Sequence, residues 1–548
     1  MNRSARSSAD LVVAADTVHT LDPQHPHAQA VAIVGGTVAA VGSRADVRGW
    51  CGAGTEVVDL GAATLTPGLV DGHVHPVMGL DMTAGTDLSG VRTLDGLVAA
   101  LRDAAAGLER GGWLRGWGLD PNAFAGAPIT AAPLVRAVGE DVPVLLDLFD
   151  AHSALASPAA LRLAGVGGPR PFASGASVVC DADGRPTGHL LELEAIALVK
   201  DAAPVDDPAS RRQRLRDLLR RMAAVGITAG NAMDFEGDSH DLVRALEEDG
   251  ELPVRWRFAP FVMPGATRAD LDRVVEQQRL HGRRWQVEGA KFMIDGTVDG
   301  GTAWLAEADT HGESTRPFWP DPEEYVHAVR HLAAQGVPTV THAIGDAGIR
   351  YVLRALAGAP TRTGVPHRVE HLETMPSDLV PLFRRLDVTA SMQPTHCTHY
   401  TRADHGDNWS QRLGPERAGR AFRTRDLREA GARLALGSDW PIAPFDPRAV
   451  MADARLRRTA GHPQEEPVLP GQALTARMAL EGYTTHAAAA AGLADRAGML
   501  RAGFRADVTA FALDPLTADP DEFAEAPVLL TVVDGAVAHR AGEALAVS

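Results

Sequence analysis

Eight short β-rich segments alternate with helix-like stretches along this chain, and no other feature restricts its fold as much. The segments are "TLTPGLVDGHVHP", "ITAGNAMD", "VRWRFAPFV", "GAKFMIDG", "VPTVTHAIGD", "HRVEHLE", "VTASMQP" and "RLALGSDWP". Most are followed by stretches with helical spacing, such as "SHDLVRALEEDG", "RADLDRVVEQQRLHG" and "PEEYVHAVRHLAAQG". Strands alternating with helices pair in parallel, and eight of them suggest a closed (β/α)8 TIM-type barrel rather than an open sheet. The predicted fold class is therefore α/β.

Both ends of the chain read differently. "QAVAIVGGTVAAVGS" joins two short apolar runs through Gly-Gly, a hairpin signal, and "VLLTVVDGAVAHR" repeats the design through Asp-Gly. Neither end has enough strands for a sheet of its own, so the termini are expected to share one small composite β-sandwich domain. The span from Val77 to about Gly226 separates the first barrel segment from the second, which predicts an inserted subdomain there. The expected division is 1–66 and 497–548 for the composite β-domain and 67–496 for the barrel, with the insertion at about 77–226.

In a parallel barrel the reactive side chains gather at the C-terminal ends of the strands. The first segment ends in His73-Val74-His75, which puts two imidazoles on one face of an extended chain. The fifth ends in His342, the sixth in Glu370-His371 and the eighth in Asp439. Imidazoles and a carboxylate collected in this way suit zinc, iron, manganese, cobalt or nickel. The bland alternative is a set of buried histidines satisfied by hydrogen bonds. The fourth segment carries Lys291, one of only two lysines among 53 Lys and Arg residues. A point charge in an apolar run needs either a partner or a chemistry that guanidinium lacks, such as carbamate formation with carbon dioxide.

Composition excludes some functions. A net charge of −17 argues against a broad nucleic-acid or anionic-membrane surface. No window approaches the apolar length of a membrane span, and the N-terminus lacks the h-region of a signal peptide. Cys51, Cys180 and Cys397 are far apart and odd in number, so a reducing cytoplasm is the expected location. A small-molecule substrate is the expected partner, with no nucleic acid and no membrane, and a homodimer is kept open as the assembly.

"TPGLVDGHVHP", "HAIGD", "VEHLE", "SMQPTH", "LALGSDWP" and "AGMLRAGFRADVTAF" together resemble the amidohydrolase superfamily, and within it the YtcJ-like, amidohydrolase-3 branch that includes N-substituted formamide deformylases. "DAHSALASPAALRLAGV" and "DADGRPTGHLLE" are similar to that branch's insertion, so the likeness covers essentially the whole chain. The resemblance implies that His73, His75, His342, His371 and Asp439 hold one or two divalent metals, zinc ahead of the others. It also implies that Lys291 is carboxylated and bridges a metal pair. Arginine could not replace it, because its guanidinium stays protonated.

The activity so implied is hydrolysis of a non-peptide C–N bond, amide in type, with Asp439 as a general base turned acid. His152, Gln393, His396 and Trp440 are the expected substrate contacts. Glu370 reads as a carboxylate that orients a histidine, and Cys397 as a bystander. Three alternatives stand beside this reading: a mononuclear-metal deaminase, a lactone or ester hydrolase, and a catalytically silent homologue kept for binding. These motifs specify fold and metal site and say little of the substrate.

Overall fold

The computed structural model describes residues 8–204, 207–360 and 364–542. Each of the eight segments forms a strand, and these, with Trp285–Val287 as a ninth, fall into two parallel sheets. Leu69–Val74, Ile227–Ala232, Arg255–Phe258 and Trp285–Val287 lie side by side in that order. Ala290–Met293, Thr339–Ala343, Arg368–His371, Thr389–Met392 and Leu434–Leu436 make the second sheet, also in chain order. Their side chains are buried on both faces, which is why the strands read as near-continuous apolar runs without alternation.

Backbone hydrogen bonds cross between the two sheets at both edges. On one side the Lys291 N–H donates to Pro260 O and the Val262 N–H to Lys291 O, each at 2.8 Å. On the other, the Asp439 N–H donates to His73 O at 2.7 Å and the His75 N–H to Trp440 O at 2.9 Å. The second junction brings the first and last parallel strands together at the level of the candidate ligands.

The helices between these strands are locally encoded. Arg268–Gln277 starts with a capping box, in which Thr267 accepts from the Asp270 N–H while Asp270 reaches back to the Thr267 N–H. Asp321 caps Pro322–Ala334, which presents Tyr325, Val329 and Leu332 to the sheet. Pro208–Ala224 packs Leu215, Leu218 and Met222 into an apolar cluster with Val74 and Ile227.

Strands from both termini share one eight-stranded sheet, joined where Thr64–Pro67 runs antiparallel to Val508–Phe511. Leu11–His19 branches it. Its first half pairs with Glu56–Asp59 and its second half with Thr64–Pro67, across a bulge between Ala14 and Val18. Hydrogen bonding thus makes one branched sheet of strands expected to form a sandwich. Both hairpin turns have left-handed backbone at their two central residues, Gly35-Gly36 and Asp534-Gly535. Between the first two parallel strands lies a further six-stranded sheet, built from Thr86–Asp87, Leu114–Leu119, Val144–Leu148, Ser153–Ala156, Pro186–Leu191 and Ser177–Cys180. Among the described residues no helix is long and apolar enough to cross a membrane.

Candidate metal centre

His73, His75, His342, His371, Lys291 and Asp439 converge at the C-terminal ends of their strands. Three of them, His73, His371 and Asp439, each offer a ligand atom, and these atoms all lie within 4.8 Å of one another. The His73 ring is 5.3 Å from that of His75 and 4.8 Å from that of His371, which is 4.4 Å from His342. The backbone is bent to achieve this. His371 and Asp439 sit at φ 72° and 58°, a left-handed conformation that side-chain-bearing residues adopt at a cost of about 1–3 kcal/mol.

The donor set fits a divalent cation. His73 Nδ1 lies 2.6 Å from Glu370 Oε2, which assigns the ring proton to Nδ1 and leaves a lone pair on Nε2. That lone pair faces Asp439 Oδ1 at 3.2 Å, and His75 Nε2 approaches the same oxygen at 3.3 Å. His73 Nε2 and Asp439 Oδ1 are buried without a hydrogen-bond partner. Acceptor lone pairs turned on one another in a dry site are costly, and a cation shared between them removes the cost. Burial pushes the His75 pKa down to about 4 and those of His342 and His371 well below their ordinary value, so all three are neutral, as metal-binding imidazoles must be.

Lys291 is 2% exposed, and its side chain makes no hydrogen bond or ion pair among the described residues. Burial pushes its pKa down to about 8, although Glu370 and Asp439 pull the other way. An amine of this kind has a substantial neutral fraction near neutral pH, the form that reacts with carbon dioxide.

The residues behind this centre are well supported. Glu370 takes a bidentate hydrogen bond from Arg368 and also holds His73, and all three are fully buried. Burial alone would raise the Glu370 pKa, but Arg368, His73 and Lys291 together outweigh it and hold the carboxyl at about 2. The His371 Nδ1–H donates to Gln393 Oε1 at 2.9 Å, and the His342 Nε2–H to Gly296 O at 3.1 Å. Asp295 is engaged in turn structure, accepting the backbone N–H groups of Trp304, Ile344 and Gly345.

A cavity opens on the ligand side. His75, Lys291, His342, His371 and Asp439 form its floor, and Phe149, Leu193, Phe261, Tyr400 and Trp409 supply apolar wall. Two expected substrate contacts reach it. His152 comes from the insertion, its Nδ1 2.8 Å from Glu192 Oε2. Burial lowers its pKa, but the charge and hydrogen bond of Glu192 together with the charges of Asp150 and Asp439 outweigh this and raise it to about 9. His396 lies with Nε2 3.5 Å from Asp439 Oδ2 and Nδ1 3.6 Å from Glu373 Oε1.

The other two expected contacts are placed elsewhere. Gln393 is not part of the wall and touches the site only through His371. Trp440 turns away from the cavity and packs with Val74, Val77 and Leu80, against Gly79, where a Cβ would collide with the indole ring. A cis bond to Pro441 follows it. Cys397 is buried beside Arg457, and burial pushes its thiol pKa up, away from a reactive thiolate.

The sequence reading missed Asp150, Asp299 and Glu373, which also line the cavity. They come from three separate loops with no shared motif.

An α/β fold with two parallel sheets thus gathers imidazoles and a carboxylate at their strand ends, a cluster that could hold a metal ion. The profile of the Amidohydrolase family matches residues 56–539, and the chain belongs to that family. It is 27% identical to the Bacillus subtilis (strain 168) protein YtcJ over 95% of this chain and 98% of that one. It is 28% identical to the N-substituted formamide deformylase of Arthrobacter pascens, over 97% and 98% of the two chains. Among solved structures, an uncharacterized metal-dependent hydrolase from Pyrococcus horikoshii OT3 superposes with a TM-score of 0.71 at 22% identity, over 93% of this chain and 99% of that one.

Proposed function

We propose that the protein hydrolyses a non-peptide, amide-type C–N bond in a small and largely apolar molecule. The observation that carries this reading is the buried, unpartnered pair of acceptor atoms His73 Nε2 and Asp439 Oδ1, of which Asp439 lines the floor of a mostly apolar cavity. His73, His75, His342, His371 and Asp439 would hold one or two divalent ions, zinc before iron, manganese, cobalt or nickel, with Lys291 as its carbamate. What such an ion supplies is Lewis acidity, which lowers the pKa of water from about 15.7 to about 7.

The chain's own residues do the rest. Asp439 would act as the ionised carboxylate. It takes the proton of the attacking water and returns it to the leaving nitrogen. His152 and His396 face the substrate, and the apolar wall excludes bulk water. Amide hydrolysis is favoured over a deaminase because Lys291, whose side chain makes no hydrogen bond or ion pair among the described residues, lines the cavity beside His75, His342, His371 and Asp439, where its carbamate would be a ligand. The Arthrobacter pascens relative, by its name, acts on N-substituted formamides, which makes N-formyl amines the first compounds to screen. The same reading has the two parallel sheets closing into one (β/α)8 barrel over 67–496, with the composite β-domain at 1–66 and 497–548, the insertion at about 77–226, and a cytoplasmic location.

Metal equivalents per chain test this. The parent and Lys291→Arg are purified with bicarbonate present, analysed for metal, and assayed on N-formyl and N-acyl amines. Two equivalents in the parent, one or fewer in the variant, and turnover in the parent alone are expected. A parent that binds no divalent metal would refute the proposal.

A further inference from the structure

Asp71 shares a strand face with His73 and His75, two and four residues along, yet it contributes no atom to the cavity. It is 1% exposed, and every bond it makes is to the metal-ligand backbone or to the strand opposite. Oδ1 accepts the N–H of His73 at 3.2 Å and that of Ser438 at 3.0 Å. Oδ2 accepts the Ser438 hydroxyl at 2.6 Å, and the Ser438 oxygen in turn accepts the Trp440 N–H at 3.0 Å. The peptide groups on both sides of Asp439 are therefore tied, directly or through one serine, to a single carboxylate. Asp439 between them adopts its left-handed conformation and donates its own N–H to His73 O. The two backbones approach so closely here that a Cβ at Gly437 would collide with the His73 nitrogen.

We infer that Asp71 is a positioning residue of the metal centre, a buried clamp that fixes the last parallel strand against the first and so sets the 3.2 Å separation of His73 Nε2 from Asp439 Oδ1. The inference rests on the metal-centre reading above. Ligand atoms on two different strands keep a common geometry only while the strands keep their register. The Asp71–Ser438 pair holds that register where the ladder ends and the backbone turns. A purely structural seam would support the same hydrogen bonds without affecting how an ion is held, and that is the alternative to exclude.

Asp71→Asn, Ser438→Ala and the double variant separate the two. Three readouts are needed: the urea midpoint of the metal-free protein, zinc affinity by competition with a chelating indicator, and the visible spectrum of the cobalt(II)-loaded protein. Asp71→Asn is expected to weaken zinc binding about 10–100-fold, the usual cost of losing a partner behind the ligands, and to shift the cobalt bands. Ser438→Ala should act in the same direction to a smaller extent, and the double variant should be no worse than Asp71→Asn, because the two residues act as one unit. Zinc affinity and a cobalt spectrum indistinguishable from the parent's would overturn the inference, even with a lower urea midpoint. Additive losses in the double variant would overturn it too. Should Asp71→Asn fail to fold, Ser438→Ala decides by the same two metal readouts. A parent that binds neither zinc nor cobalt would remove the hydrolase reading itself, whereas a metal-binding parent with unaffected variants removes only the clamp.

Discussion

Replacing Glu370 with alanine should damage the protein in two separable ways. Arg368 has no exposed surface, and its Nε and one terminal nitrogen each donate to Glu370 at 2.9 Å. Its remaining contacts are the neutral oxygens of Gly72 and Ser391, and its other terminal nitrogen has no partner. Removing the carboxylate therefore leaves a buried guanidinium without a counter-charge, at a cost of about 3–5 kcal/mol. His73 loses its orienting partner at the same time, which should lower metal affinity about 10–100-fold. The assay is urea unfolding of the metal-free protein followed by tryptophan fluorescence, with metal equivalents measured in parallel. A paired replacement, Arg368→Met with Glu370→Met, should recover most of the stability, since an apolar pair of similar volume is often as stable as a buried ion pair. It should not recover the metal affinity. A loss of less than about 1 kcal/mol in Glu370→Ala, the level of an exposed ion pair, would refute the reasoning.

Asp439→Asn should lower turnover on any hydrolysed amide by about 10²–10⁴-fold, the usual contribution of a general acid–base, and undiminished activity would take Asp439 out of the mechanism. Removing His73 with alanine should abolish metal retention and reduce stability, because the ion's binding energy is linked to folding; elemental analysis of the purified variant decides this. The His152 pKa is raised from 6.5 to about 9 because Glu192, with smaller help from Asp150 and Asp439, outweighs burial, so the Glu192 pair contributes below pH 6.5 and its contribution fades as the pH rises through about 9. Glu192→Gln should accordingly be less stable than the parent at low pH and converge with it in alkali, and a constant difference across that window would dismiss the pair. Gly79→Ala should destabilise by about 1–3 kcal/mol through overpacking against Trp440, and a neutral result in urea would show the indole free to move.

Eight of the nine parallel strands were legible because each is a short apolar run bounded by turn residues, and their polar ends stand out against it. His73, His75, His342 and His371 could thus be picked from the sequence alone. Glu370 was legible too, as the residue beside a candidate ligand. Trp440 was misplaced for a physical reason. Its position beside Asp439 suggested the cavity, but the backbone turns left-handed at Asp439 and sends the next side chain to the opposite side, under Gly79. Gln393 ends a strand that does border the site, yet its amide is engaged by His371. Asp71 was hidden inside "VDGHVH", where it reads as a turn aspartate, because its partner Ser438 is far along the chain. Asp150, Asp299 and Glu373 were invisible for the same reason, since loops from three regions meet only after folding.

These differences in legibility follow a division of labour in the molecule. The candidate ligands are held by backbone ladders, by the Asp71 carboxylate and by the Arg368–Glu370 pair, all buried, so a change in any of them should alter metal affinity. The cavity wall is made elsewhere. Phe149, His152 and Leu193 come from the insertion, Asp299 from the loop after the Lys291 strand, and Tyr400 and Trp409 from the segment after Thr389–Met392. Phe149 stacks on Tyr400 with ring centres 3.9 Å apart, so insertion and loop meet directly over the site. Side chains there can change size or charge without moving a ligand, which is how one hydrolytic centre serves many substrates. Substrate preference should therefore respond to exchanges in the insertion and these loops, while metal affinity should not.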